Sequence, residues 1–292
     1  MALKKPTTFE EQLNLIEMRG CKVDDESLAL DFLHRINYYR LTAYFLPFKN
    51  SNGTYKIGTT FTKITRIYDF DQKMRSLLFG VIEEIELMLR TRLSYHHAHE
   101  YGSLGYKDKD NFRERYNSND LEKHIALAIK NNSKKPFVEH HVENYRGEFP
   151  IWVMVELFTM GELSRFYSNM KMADRKVIAK DVFSSYPKNV SSWLMCLTYL
   201  RNFCAHYVRL YYCNFPAIAV TPKGFEYKLG KKLFDYILVL KFLYPDNRKW
   251  NDKFCTHIEA LVEEYADDIN LEHIGFPEQW KELFRWKIKI TK

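Results

Sequence analysis

The stretch FTKITRIYDFDQKMRSLLFGVIEEIELMLRTRLSYHHAHE, residues 61–100, decides the fold class. Ile64, Ile67, Leu77, Leu78, Val81, Ile85, Met88, Leu89 and Leu93 recur at the three- and four-residue intervals that put side chains on one face of an α-helix. Gly80 is the one strong breaker inside it, so the pattern predicts one long helix or two stacked ones, stopping near Gly102.

Upstream, Thr8 is placed to cap a helix carrying Leu13, Ile16 and Met18 and closed by Gly20. Asp24 or Asp25 caps a second with Leu28, Leu30, Phe32, Leu33 and Ile36. Pro47 and Asn50-Ser51-Asn52-Gly53 end that pattern, and Asn-Gly between Lys49 and Tyr55 predicts a short hairpin near residues 50–60. Downstream, a polar loop over 102–118 precedes helices over 119–132, 136–146, 151–158 after Pro150, 163–170 after Gly161, and 173–183. A helix over 191–212 follows, with Ser191 as its cap. Pro216, Pro222 and Gly224 then break the chain before helices over 229–244 and 251–268. Helices joined by short loops predict an all-α bundle. The break near 50–60 divides a small, mainly helical N-terminal lobe (1–60) from a helical domain (61–292).

Composition narrows the function classes. The net charge of +7 favours a polyanionic partner over an acidic protein, and it is too small for a histone-like arm. The basic residues lie in small groups such as Lys134–Lys135 and Lys231–Lys232, most of them solvated helix faces. Aromatic residues reach 16%, chiefly core material with rings to spare for stacking on bases. The five cysteines, Cys21, Cys196, Cys204, Cys213 and Cys255, are odd in number and widely spaced, which fits neither a disulfide framework nor a zinc knuckle. Met1-Ala2-Leu3-Lys4-Lys5-Pro6 lacks the apolar run of a signal peptide, and the longest apolar runs, near Ile151–Met160 and Tyr236–Tyr244, are about half a membrane span. The expected setting is the cytoplasm, with no membrane partner.

The segment Trp193 to Tyr212 carries the chemistry. Wound at about 100° per residue, Trp193, Cys196, Leu197, Leu200, Phe203, Cys204 and Val208 cover one apolar side, while Thr198, Arg201, Asn202, His206 and Arg209 share a wedge about 140° wide. An imidazole titrating near neutrality can move a proton at a ribose hydroxyl. A permanent guanidinium can grip a phosphate and stabilise its developing charge. Asn202 can orient the imidazole or donate to the phosphate. By themselves these residues define an anion-binding helix, a pattern that many surface helices also show.

Arg201-Asn202-Phe-Cys-Ala-His206 resembles the R-x4-6-H motif of the HEPN superfamily. Most of the chain resembles the Abi-like (abortive infection, AbiD/AbiF type) proteins. The resemblance runs through Arg19-Gly20, Ile36-Asn37-Tyr38-Tyr39-Arg40-Leu41-Thr42-Ala43-Tyr44, Ile67-Tyr68-Asp69-Phe70-Asp71 with Met74-Arg75, and Ile82-Glu83 with Ile85-Glu86, Leu89-Arg90-Thr91. It continues through Tyr101-Gly102, Pro150-Ile151-Trp152, Glu156 and Gly161-Glu162-Leu163-Ser164. It implies a HEPN-type bundle and a metal-independent endoribonuclease in phage defence, toxin-like in action, that leaves a 2′,3′-cyclic phosphate and needs no cofactor. Arg201 and His206 become the implied catalytic pair, with Asn202 between them and Arg209 on the RNA backbone. Because the motif occurs once, the implied composite site calls for a homodimer. Some members pair with a small non-coding RNA, which makes such an RNA a candidate partner beside the RNA substrate. Glu83, Glu86 and Arg90 match charged positions of an earlier helix, either orienting Arg201 or pairing along their own face.

Tyr38, Tyr39 and Arg40 offer rings beside a cation, for stacking RNA bases or simply for docking the N-terminal lobe. Competing patterns are weaker. His96, His97, His99 and Glu100, with His140-His141, could share a metal, but no H-E-x-x-H pattern or cysteine partner accompanies them. Phosphate-loop and serine-hydrolase motifs are absent. Cys204, two residues from His206, falls on another side of the helix, which disfavours a cysteine nucleophile. The alternative is a protein that binds RNA without cutting it and acts by sequestration or through a partner.

Overall fold

The computed structural model describes residues 5–114 and 118–287; Met1 to Lys4 and residues 115–117, near the end of the 102–118 loop, lie outside the described residues. Thr8 and Glu11 form a reciprocal capping box on α1 (Phe9–Met18), and the Asp25 carboxylate caps α2 (Glu26–Arg35). Asn37 then caps a short α3 (Tyr38–Thr42) that runs into a 3-10 turn, Ala43–Phe48. The expected hairpin shrinks to a single antiparallel bridge, Lys49 with Tyr55, around the Gly53 turn. Too few residues flank that turn on either side to build a ladder.

Thr60 caps α4 (Phe61–Tyr101), one unbroken helix of 41 residues. Gly80 does not interrupt it, because the buried stripe from Ile64 to Leu93 holds both halves in register. It stops at Gly102, whose φ of +79° is a conformation glycine adopts cheaply. Then come α5 (Ser118–Asn131), α6 (Pro136–Asn144), α7 (Ile151–Met154), α8 (Met160–Asn169, capped by Thr159), α9 (Met172–Phe183) and α10 (Pro187–Ala205). The last helices are α11 (Leu233–Leu243), α12 (Asn247–Lys249), α13 (Thr256–Glu264), reached through a π-helical turn, and α14 (Trp280–Phe284). Among the described residues there is no strand, only isolated bridges, and no helix is long and apolar enough to cross a membrane. The protein is an all-α bundle.

The helix α10 lies at the centre, against α4, α8, α9 and α11. Val190, Trp193, Leu194, Cys196, Leu197, Leu200 and Cys204 are all buried, and each large side chain contributes roughly 2 kcal/mol on burial. That face fixes the helix's rotation, so Arg201 and Asn202 are forced toward the periphery.

Both predicted ends of this helix need correction. It begins at Pro187, whose fixed φ suits the first helical position, while Ser191 sits inside the helix and accepts a hydrogen bond from Arg175 at 2.7 Å. It ends at Ala205, with His206 as the C-cap, rather than at residue 212. Val208 and Arg209 therefore do not belong to its faces.

Candidate functional site

The stop at Ala205 is a Schellman turn. Tyr207 donates to the carbonyl of Cys204 (3.2 Å) and Val208 to that of Phe203 (2.8 Å). The left-handed position that such a turn requires falls on Tyr207, at φ +56°. A tyrosine there costs roughly 1 kcal/mol relative to glycine, so other contacts must hold it.

They come from α4 and α3. Asp71, buried, accepts the backbone N–H groups of Leu210 (3.1 Å) and Tyr211 (2.7 Å), the hydroxyl of Tyr44 (2.6 Å) and a close contact from Arg75. Arg75 also reaches the Val208 carbonyl at 3.5 Å. Arg40 donates to the carbonyl of Tyr207, and Arg209 to that of Ala43. Four side chains thus clamp the backbone that follows His206. The sequence pattern contained a signal for two of them: Asp71 and Arg75 are charged residues placed on the buried face of α4, beside Ile67, Met74 and Leu78. A charge in an apolar register is tolerated only with a partner that repays its desolvation.

Arg201 is positioned by a second cluster. Glu86 on α4 bonds Arg90, whose guanidinium is locked onto the carbonyls of Val155 and Phe158. The other Glu86 oxygen lies 3.7 Å from Nε of Arg201, an ion pair too long for a hydrogen bond, and that buried Nε has no hydrogen-bond partner. Nη1 of Arg201 reaches Asn202 Oδ1 at only 3.5 Å, and the side chain is 30% exposed. One carboxylate between two guanidiniums leaves a net positive charge with an under-used fork, the condition for binding an anion. Glu83 is exposed and takes no part.

His206 is exposed, and among the described residues its imidazole has no hydrogen-bond or ion-pair partner. Helical geometry puts it about 140° around α10 from Arg201 and about 7.5 Å along it. On one chain the two groups therefore flank the helix end without converging.

A cleft of about 750 Å³ opens at this turn, lined by Cys204, Ala205 and Tyr207, by Tyr68, Gln72 and Phe79 from α4, and by Arg40; Ala205 and Tyr207 flank His206 in the chain, and His206 itself is not on the lining. Of the aromatic pair predicted beside Arg40, Tyr38 accepts from Arg19 at 3.3 Å and packs on the core, while Tyr39 is 86% exposed and outside the cleft. Burial pushes the Cys204 thiol up to about 12, so it does not supply a thiolate beside His206. The histidines from residue 96 point to separate partners: His96 bonds Asp174 (3.0 Å), His97 is sealed among rings, and among the described residues no three His, Cys, Asp or Glu side chains converge as ligands.

A family model described as Abi-like protein matches residues 31–212, a span holding both clusters, the cleft and the turn after His206. No curated protein and no solved structure matches the chain.

Proposed function

The chain belongs to the Abi-like family, which gives it a role in abortive infection, and from that premise we propose that it is a metal-independent endoribonuclease acting in phage defence. The observation that carries this reading is the pairing of an incompletely neutralised Arg201, held from behind by Glu86, with an exposed and unpartnered His206 at the same end of α10.

In this reading Arg201 grips the non-bridging oxygens of one phosphate in an RNA strand. His206 takes the proton of the ribose 2′-hydroxyl, and O2′ forms a bond to phosphorus as the P–O5′ bond breaks. The proton passes to the departing 5′-oxygen, which leaves a 2′,3′-cyclic phosphate and a 5′-hydroxyl. The substrate brings its own nucleophile, so the step needs no metal-activated water. Because Arg201 and His206 diverge on one helix, the working site joins Arg201 of one copy to His206 of a second, and the active form is a homodimer. Asn202 holds the Arg201 fork, while Arg209 supports the turn from Ala43 instead of touching RNA.

The test compares cleavage of unstructured RNA in EDTA by the parent, His206→Ala and Arg201→Ala. The reading predicts product only from the parent. Equal cutting by the variants removes the site assignment, and loss of cutting by the parent in EDTA removes the metal-free mechanism. RNA bound intact by the parent, with no product, would establish the non-catalytic alternative.

A further inference from the structure

We propose that the cleft beside His206 is a base-binding subsite, which holds one unstacked nucleobase of the RNA strand next to the phosphate that Arg201 and His206 handle. The proposal rests on the ribonuclease reading above for its position, and on the cleft itself for its chemistry.

Three observations carry it. The walls are rings: Phe79 is 41% and Tyr207 69% exposed, and Tyr68 closes the floor. Large exposed rings facing a cavity of about 750 Å³ are unusual in a resting protein, and a π-face is what a splayed base seeks. The one cation there without a carboxylate partner among the described residues is Arg40; Arg75 is consumed by Asp71. Rings with one guanidinium that no carboxylate neutralises, Arg40 being held by the Tyr207 carbonyl, suit a base that carries a backbone phosphate, whereas a purely apolar ligand would waste the cation. Third, Tyr207 occupies a position where glycine would be cheaper, and its exposed ring packs no core. Three side chains from two helices, Asp71, Arg75 and Arg40, hold that backbone in place. Strain maintained by so many contacts at the mouth of a cleft is the pattern of a functional group held ready. Gln72 and Ser76, both exposed on the lining, supply an amide and a hydroxyl for a base edge.

The experiment uses the full-length protein and a 2′-O-methylated RNA hexanucleotide, which cannot be cut, carrying one 2-aminopurine. Binding to the parent and to Tyr207→Phe should quench the 2-aminopurine fluorescence by stacking. Tyr207→Gly should keep or raise the thermal midpoint, since glycine prefers this backbone, while weakening binding on the order of ten-fold with loss of the quench. Phe79→Ala should weaken it in the same way. Parent-like binding and quenching by Tyr207→Gly would overturn the proposal. So would adenosine monophosphate binding more tightly than the hexanucleotide, because the cleft would then serve a free nucleotide. His206→Ala separates the two readings: if it still cuts unmodified RNA but Tyr207→Gly loses the quench, the subsite stands and the assignment of His206 to the cleavage site falls. If His206→Ala is dead and Tyr207→Gly binds as the parent does, the reverse holds.

Discussion

The carboxylate of Asp71, on the long helix α4, accepts the backbone N–H of Tyr211 at 2.7 Å, across a sequence separation of 140 residues. The same carboxylate takes Leu210 N–H and neutralises Arg75, so one buried side chain sets where the chain goes after His206. The site's geometry is thus decided from α4 as much as from α10.

Removing that carboxylate leaves a buried guanidinium without its counter-charge and two backbone donors without an acceptor. Asp71→Ala is expected to destabilise the fold by about 3–5 kcal/mol. Asp71→Asn keeps one acceptor and loses the charge, so it should cost less, on the order of 2 kcal/mol. Urea denaturation of the two variants checks the order, and equal, near-zero losses would mean that the turn is held by other groups.

Most of the fold was legible because its signals are local. Thr8, Asp25 and Gly102 stop and start helices through their own side chains or backbone freedom, and the spacing from Ile64 to Leu93 reports one buried face. The end of α10 was not legible. Ala205-His206-Tyr207-Val208 contains no glycine or proline, and its helix stops because Asp71, Arg75 and Arg40 grip the next residues from far away in sequence. The same distance hid the cleft and took Arg209 out of the wedge. Arg201, Asn202 and His206 were readable as a cluster of residue types, and the angle between Arg201 and His206 follows from their spacing; the spacing did not show that α10 ends at Ala205, just before His206.

Glu86 touches no ligand in the proposed mechanism and acts by positioning Arg201. Glu86→Gln should therefore separate two readouts. With one carboxylate gone between two guanidiniums, RNA affinity at low salt should rise a few-fold and its salt dependence steepen. Turnover should fall by about ten-fold as the fork loses its orientation. Unchanged turnover would leave Glu86 only a helix-face partner of Arg90.

The divergence of Arg201 and His206 on one helix makes subunit mixing informative. Arg201→Ala and His206→Ala proteins, each inactive alone, should regain cleavage when mixed and allowed to exchange. A mixed dimer has one site with Arg201 from one copy and His206 from the other both intact, so statistical exchange restores about one quarter of parental activity. No recovery, with mixed dimers demonstrated by native mass spectrometry, would place both groups of a working site on one chain.

His97 sets a pH dependence of the fold itself. It is fully buried against Tyr101, Phe112 and Phe166, next to the Gly105 backbone, and neither ring nitrogen makes a well-formed hydrogen bond. Burial pushes its pKa down from 6.5 to about 4. The unfolded chain therefore binds a proton over a range where the folded one does not, and stability must fall as pH drops from about 6.5 toward 4. Each unit in that window costs up to about 1.4 kcal/mol, or about 3 kcal/mol across it, and the loss levels off below the folded-state value. His97→Phe, which keeps a ring in a pocket already made of rings, should match the parent or exceed it at pH 7 and pull ahead progressively at pH 5. The check is the difference between the two proteins' urea-unfolding free energies from pH 7.5 to 4.5: a constant difference would mean that His97 gains its proton in the folded state as easily as in the unfolded one.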